Sequence, residues 1–273
     1  MKDLMDMAPR LEGGNLMVVD GLNFSFRWKH SSGVVDAQNY VDTIYSLAKS
    51  YEAGKVIVLT DFGGSSYRKA IYPEYKANRD YSNQTEEEKE AFQLFIESYN
   101  DAFELCDKHF NTLKVQGVEA DDLAACIVDK YSEDFDHTWL ISSDRDWDLL
   151  IGKKVSRFSF KTRKETTMDT WDMMYDVPME NYIDLKCLQG DSGDNVIGVA
   201  GVGPVRASKL LQEYGSVFDL VEYLPLPGRA KYIQNLNESK DRLLLNIELM
   251  DLRTYCWDAL GSENAGEIEK AMA

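Results

Sequence analysis

Gly117-Val118-Glu119-Ala120-Asp121-Asp122 is the stretch on which the fold turns. It follows a short run of strand type, Leu113 to Gln116, and opens a helical pattern from Leu123 to Tyr131. Three carboxylates therefore stand in the first turn of a helix. Glu119 and Asp122 are three apart and share a face, while Asp121 points towards the adjacent edge. The helix dipole and the free N–H groups of a helix start stabilise one acid there, or two. Three acids in four positions repel one another unless something positive sits between them. A hard divalent cation bound through oxygen is the usual answer. On this stretch alone, the metal reading and a solvated helix start stand level.

Working outward, other strands end in the same way. Leu16-Met17-Val18-Val19 is a short apolar run that ends in Asp20-Gly21. Val56-Ile57-Val58-Leu59-Thr60 ends in Asp61, and Thr138-Trp139-Leu140-Ile141-Ser142 runs into Ser143-Asp144-Arg145-Asp146. Val155 to Phe160 reads as a further strand, and Ala37 to Tyr51 as an amphipathic helix. Continuous apolar strands alternating with helices predict a mainly parallel α/β sheet covered on both faces. In such sheets ligands bind outside the carboxyl ends of the strands. One aspartate there is ordinarily a turn or helix cap. Four coincident cases bring like charges together at a cost, which a shared metal site would explain.

The chain has 273 residues, 44% of them hydrophobic, enough for one large domain or a domain with a smaller companion. Met1 to Gly14 has no apolar core of signal-peptide type, and no apolar run reaches membrane-spanning length. Cys106, Cys126, Cys187 and Cys256 are scattered without metal-site spacing and read as reduced thiols of a cytoplasmic protein. The net charge of −17 argues, taken as a total, against a nucleic-acid partner. The distribution is patterned, however. Lys153, Lys154, Arg157, Lys161, Arg163 and Lys164 lie in a stretch with no acid. That stretch reads equally as a lysine-protected strand edge or as a phosphate contact.

About fifty residues separate the second and third strands, and so long an excursion is usually functional or disordered. Its first part, Tyr67-Arg68-Lys69 and Tyr72-Pro73-Glu74-Tyr75-Lys76-Ala77-Asn78-Arg79, mixes aromatics and bases, as single-stranded nucleic acid would require. Its second part, Thr85 to Phe110, is helical and acidic. From Met179 onward helices dominate: Met179 to Gln189, Val205 to Tyr214 and Val217 to Leu224. Asp191 and Asp194 end the first of these, where the dipole disfavours acids and a cation would compensate. Gly198, Gly201 and Gly203 form a turn before the next helix that would let backbone N–H groups approach a phosphate. Asn235 to Ala273 is acidic, helical and functionally mute.

Taken together, Val18-Val19-Asp20-Gly21, Tyr75 to Arg79, Gly117 to Asp122, Ser143 to Asp148 and Gly190 to Asn195 resemble the flap endonuclease and 5′-nuclease family. The branch is that of bacteriophage 5′–3′ exonucleases and the 5′-nuclease domain of bacterial DNA polymerase I. The likeness runs from about Asn15 to Tyr255. It implies a PIN-like α/β nuclease domain over 15–177 with a helical arch insertion at about 67–111. A helical DNA-binding domain with a helix–turn–helix element would follow over 178–258, with tails at 1–14 and 259–273. It implies two acid clusters holding two or more magnesium ions, with manganese as a substitute: Asp20, Asp61, Glu119, Asp121, Asp122 and Asp144 in one, and Asp146, Asp191 and Asp194 in the other. Lys76 and Arg79 match the family's basic residues at the foot of the arch, with a catalytic role as electrostatic helpers. Arg27, Lys29, Lys186, Gly201, Gly203 and the stacking partner Tyr75 fall at DNA-binding positions, with a potassium ion at the 198–203 turn; Arg68 joins the DNA contacts as the start of the basic strip Arg68 to Arg79. The partner would be branched or 5′-ended DNA, met by a monomer in the cytoplasm of a bacterial or phage-infected cell.

Two metals about 4 Å apart would supply a nucleophilic water, phosphate neutralisation and a stabilised leaving oxygen. None of His30, His109 and His137 is placed as a general base, so carboxylates, magnesium and nearby cations carry the chemistry. A dehalogenase-type phosphatase needs a second aspartate two residues after Asp20, where the chain has Leu22. A PIN-type ribonuclease would share the acid edge but not the arch or the glycine turn. A DNA-junction binding protein that does not cleave would not need the full set of acids.

Overall fold

The computed structural model describes residues 11–79 and 84–273. In chain order its strands are β1 (Asn15–Asp20), β2 (Ala53–Leu59), β3 (Asn111–Leu113), β4 (Thr138–Ile141), β5 (Val155–Ser159), β6 (Lys164–Thr166), β7 (Gly190–Asp191) and β8 (Val196–Ile197). Its helices are α1 (Gly21–Lys29), α2 (Ala37–Ser50), α3 (Ser66–Ile71), α4 (Glu86–Cys106), α5 (Ala120–Tyr131), α6 (Trp171–Met174), α7 (Tyr182–Gln189), α8 (Pro204–Tyr214), α9 (Val217–Tyr223), α10 (Lys231–Asn237), α11 (Lys240–Met250), α12 (Leu252–Leu260) and α13 (Ala265–Met272). The chain divides into two compact units. One comprises Met1–Ser66, Ser82–Met168 and Cys256–Ala273, and the other Tyr67–Tyr81 with Asp169–Tyr255. Parts of the expected N-terminal tail (1–10) and of the arch insertion (80–83) lie outside the described residues.

In the first unit the sheet runs in the order β3-β2-β1-β4-β5-β6. It is parallel through β5, with β6 antiparallel to it. The reason is legible in β1. Leu16, Met17, Val18 and Val19 are all fully buried, as a strand with both faces covered must be. On one face Met17, Val19, Val56 and Val58 pack with Tyr40, Val41 and Ile44 of α2 and with Phe95, Tyr99 and Phe103 of α4. Helix α5 packs against β1 and β2 through its buried run Leu123 to Ile127. The helix starts are fixed by side chains. Asp36 takes the N–H of Asn39, and Thr85 and Glu88 form a reciprocal capping box that starts the acidic helix α4.

The third strand lies earlier than its sequence predicts. It covers Asn111–Leu113 and pairs only with β2, so little extends it. After the Leu113 carbonyl accepts the Thr60 N–H at 3.2 Å, the chain leaves the sheet for a turn at Gly117. Gly117 has φ +77°, and a Cβ there would fall 2.3 Å from Ser66 Oγ. Its N–H donates to Phe62 O at 2.6 Å and its carbonyl accepts from Ser66 N at 2.8 Å. The loop that carries Glu119 is thereby tied to the end of β2.

Residues 259–273 are not a tail. Helix α13 packs on β3 and α5, burying Ile268 and Met272. Lys130 pairs with Glu269 at 2.6 Å, and the Lys55 ammonium and the Asn111 amide donate to the Met272 and Ala271 carbonyls. An unpaired edge strand is a liability, and here a helix covers it. Residues 11–14 are also held: Leu11 packs against the core and Gly14 O accepts from Asp136 N at 3.0 Å.

In the second unit α7, α8, α9 and α11 enclose a core that includes Cys187, Leu188, Ala207, Leu211, Leu220, Leu236 and Leu243. The buried Asp184 carboxylate accepts the Val217 N–H at 2.8 Å and so starts α9. Asn246 donates to the carbonyls of Cys187 and Ile197 at 2.9 and 3.0 Å, fixing the loop that carries Asp191 and Asp194 between them. All four cysteines are buried, and none forms a disulfide. Among the described residues no helix is long and apolar enough to cross a membrane.

Candidate active site and nucleic-acid interface

Parallel strands end on the same side of a sheet, and the register makes this concrete. Asp20, the last residue of β1, is opposite Leu59, two residues before Asp61. Val19 is opposite Ile141, three residues before Asp144. β1 lies between β2 and β4, so Asp20 stands between the other two acids. Its carboxylate, 7% exposed, accepts from the Asn23 N–H at 3.2 Å and from Ser142 Oγ at 2.7 Å. Burial pushes the Asp20 carboxyl up to about 7; the Ser142 bond draws it back, and the charges of Asp61 and Asp144 push it further.

The acids of the α5 start join this edge. Asp61 Oδ1 accepts the Ala120 N–H at 2.7 Å, so an acid two residues beyond β2 caps the helix, while Glu119 at the cap position makes no such bond. Glu119 and Asp122 are buried. Asp121 accepts from the indole of Trp147 at 2.6 Å. On the β4 side, Asp144 Oδ1 takes the Asp146 N–H at 2.9 Å, and Ser142 Oγ takes the Asp144 N–H at 3.0 Å. The 3₁₀ turn Asp146–Leu150 carries Trp147 and Asp148. Asp148 grips Arg157 through two bonds, Nε at 2.5 Å and Nη2 at 2.8 Å, while Arg157 Nη1 donates to Ser142 O at 2.9 Å.

Arg157 is thus neither a strand-edge guard nor a phosphate contact; it is 3% exposed and anchors the Asp144 loop to β5. Sequence reasoning passed over Trp147, Ser142 and this pair as supports. The signal available was a large apolar residue between two acids, which a loop has no reason to carry unless it is buried.

Among the described residues no three such side chains close around one point tightly enough to hold a metal ion. Magnesium rarely uses a closed protein cage; it keeps several waters and takes one or two carboxylates with substrate phosphates. The donor set is all carboxylate oxygen, the ligand type that magnesium and manganese prefer. The Asp20 carboxyl is raised first by burial and then by the charges of Asp61 and Asp144, and a cation among these acids would offset both causes. The residues therefore fit the group in chemistry.

In the second unit the Tyr75–Arg79 turn is zipped to the Gly190–Asn195 loop. Asp194 accepts from Tyr75 Oη at 2.9 Å and from Arg79 Nη2 at 2.8 Å, with Lys76 Nζ at 3.5 Å. Lys186 stands 3.6 Å from Asp191, whose Oδ1 takes the Gly193 and Asp194 N–H groups. The charge needed at this helix end is supplied, at least in part, by the protein's own cations. Two expected DNA contacts move inside. Arg68 is 3% exposed and its Nε donates to Leu249 O at 2.7 Å; Tyr75, also 3% exposed, has its ring in the core. Neither is open to stack on a base. Both look exposed in sequence because their neighbours are polar.

Gly201, at φ +85°, and Gly203 keep an open turn before α8, and Gly203 starts that helix without a side-chain cap. Helix α10 buttresses the turn through Asn235, which donates to Ala200 O at 2.7 Å, and Arg206 of α8 donates from Nη1 to Gly201 O at 2.5 Å. A cavity of about 400 Å³ lies beside it, lined in part by Arg206, Lys231 and Tyr232.

Two family models divide the chain between them. Residues 15–177 match the 5′–3′ exonuclease N-terminal resolvase-like domain, and 177–264 the 5′–3′ exonuclease C-terminal SAM fold. The chain belongs to the 5′–3′ exonuclease family. The flap endonuclease of Escherichia phage T5 is 49% identical over 94% of this chain and 89% of its own length. A solved structure of T5 5′-exonuclease with divalent zinc ions bound superposes with a TM-score of 0.91 at 48% identity, covering 94% of this chain and 98% of that one. DNA polymerase I of Rhizobium leguminosarum is 29% identical over 89% of this chain, which spans a quarter of that longer protein. By this membership the chain is a structure-specific 5′ nuclease with the mainly parallel sheet and helical C-terminal region that its sequence predicts.

Proposed function

We propose that this 5′ nuclease hydrolyses DNA phosphodiester bonds at junctions that carry a 5′ single-stranded end, with magnesium as its metal. The reading is carried by one observation: Asp20 is flanked at the carboxyl edge by Asp61 and Asp144, with the α5 acids adjoining. Asp20, Asp61, Glu119, Asp121, Asp122, Asp144 and Asp146 are assigned as metal-facing in the first unit, and Asp191 and Asp194 in the second. Bound magnesium would lower the pKa of an attacking water and neutralise phosphate charge. The protein's own part is to hold the carboxylates still. Asn23, Ser142 and Trp147 do this by hydrogen bonds.

Lys76 and Arg79 are assigned to the phosphate, held in place by Asp194. Lys186, Arg27, Lys29, Gly201 and Gly203 are assigned to DNA. A potassium ion at the 198–203 turn would sit among backbone carbonyls, of which those of Ala200 and Gly201 each already accept one side-chain donor. We place the enzyme in DNA replication or repair, acting as a monomer in the cytoplasm. The phage T5 relative is a flap endonuclease, and a phage T5 structure with a TM-score of 0.91 is a complex with DNA and metal ions.

The test is cleavage of a labelled 5′-flap DNA, its RNA equivalent and p-nitrophenyl phosphate, with magnesium, manganese or EDTA. The expected result is cleavage of the DNA alone, to 5′-phosphate and 3′-hydroxyl ends, abolished by EDTA. Equal cleavage of the RNA would turn the assignment to a ribonuclease, and tight DNA binding without cleavage to a junction-binding protein. Lys76→Ala is expected to slow single-turnover cleavage by about 10²–10³-fold, the usual loss of one preorganised charge donor. Wild-type speed in that variant would remove Lys76 from the chemistry.

A further inference from the structure

The turn joining β5 to β6 places Arg163 over the same aromatic ring as Arg27 of α1, in a chain of net charge −17. The Arg27 guanidinium carbon lies 4.2 Å from the centre of the Phe160 ring, and that of Arg163 lies 4.8 Å from the same centre. The two cations cannot be farther apart than these distances together allow. Neither forms an ion pair with a carboxylate among the described residues. Glu165, the nearest acid in sequence, accepts a hydrogen bond from Tyr51 at 2.9 Å. Desolvation, and then the charge of Arg163, draw the Arg27 guanidinium below its ordinary value.

The platform is rigid. Phe160 meets Phe24 edge-on at 5.1 Å and Phe158 at 5.9 Å, and Phe24 is buried. The turn is closed by the Arg163 N–H on Ser159 O at 2.8 Å, with Arg163 at φ +58°. Glycine or asparagine would meet that backbone at less cost, so the backbone does not explain the arginine. The turn is also fixed against the acid edge. The Lys161 N–H donates to Ser143 Oγ at 3.1 Å, and Ser159 Oγ stands 3.2 Å from the same oxygen. Ser143 immediately precedes Asp144.

We propose that Arg163, with Arg27 across the Phe160 ring, forms a phosphodiester-binding site that grips the DNA backbone beside the Asp144 loop. Guanidinium groups parked on an aromatic ring keep their N–H donors free, and their planar forks match phosphate oxygens. Two cations held together without a carboxylate are what a polyanion would neutralise. The site deepens the DNA reading above and rests on it, because its ligand is that substrate.

The test measures affinity for a fluorescent 5′-flap DNA by anisotropy in EDTA, across a salt series. Each lost phosphate contact should reduce the slope of log affinity against log salt by about 1. R163Q is expected to do so and to weaken binding about three- to tenfold at physiological salt. R27Q with R163Q should lose about twice that slope. R163K keeps the charge and should restore the slope even where R163Q lowers stability. A single-stranded oligonucleotide and a blunt duplex run in parallel show which backbone is gripped: the one whose slope falls. Unchanged slope and affinity in R163Q with both DNAs would overturn the proposal. A wild-type enzyme that binds no DNA would overturn the functional reading instead.

Discussion

Asp144→Asn is expected to lower single-turnover cleavage of a 5′-flap DNA by about 10³-fold or more while DNA binding in EDTA is kept. The substitution removes one charge and little else. Asparagine retains the Oδ1 acceptor that takes the Asp146 N–H at 2.9 Å, and the backbone bond from Asp144 N to Ser142 Oγ does not involve the side chain. The loop should therefore hold its shape. What changes is the hard oxygen charge at the edge, and metal-borne charge stabilisation is worth several kcal/mol. A loss of about 4 kcal/mol is a factor of roughly 10³. Binding should not suffer, because an acid facing a phosphate opposes it. Circular dichroism should give the same spectrum and the same melting temperature to within a few degrees. A variant that cleaves at the wild-type rate would show that Asp144 is no part of the site.

The strand-end acids are legible in the sequence because their cause is local. An apolar run that stops at an aspartate gives both the strand and the position of the acid, and a parallel sheet then gathers them. β1, β2, β4 and β5 come out close to their expected places for the same reason. The misplaced third strand shows the opposite case. Leu113 to Gln116 is apolar enough to be a strand, but β2 offers it few partners, and the Gly117 turn takes the chain away. Burial of charge is the least legible feature. Arg68, Arg157 and Tyr75 all stand in polar company along the chain, and only their tertiary partners make them interior. The acidic C-terminal segment reads as mute because one helix carries no signal of which strand it covers. Its role as the guard of β3 exists only when the edge is present.

The buried Arg157–Asp148 pair predicts the largest loss of stability. Arg157→Met leaves the Asp148 carboxylate, at 0% exposure, without the guanidinium that grips both its oxygens. Breaking a buried pair from one side costs about 3–5 kcal/mol, since the remaining charge stays in low dielectric. In a protein of this size that corresponds to a fall in melting temperature of roughly 10 °C. The pair as a whole is another matter, because its attraction is offset by the desolvation of both ions. Asp148→Leu with Arg157→Met is therefore expected to recover most of the stability that Arg157→Met loses. The two variants should differ again in catalysis. Arg157 also donates to Ser142 O, and Ser142 Oγ serves Asp20 and the Asp144 N–H. The same 3₁₀ turn carries the Trp147 that holds Asp121. So the stable double variant should still cleave more slowly than wild type, by about tenfold for each 1.4 kcal/mol of lost positioning. Thermal melts and single-turnover rates on the three proteins check both parts. An Arg157→Met protein as stable as wild type would mean that the pair contributes nothing to the fold. A double variant that cuts at full speed would mean that the loop holds its carboxylates without it.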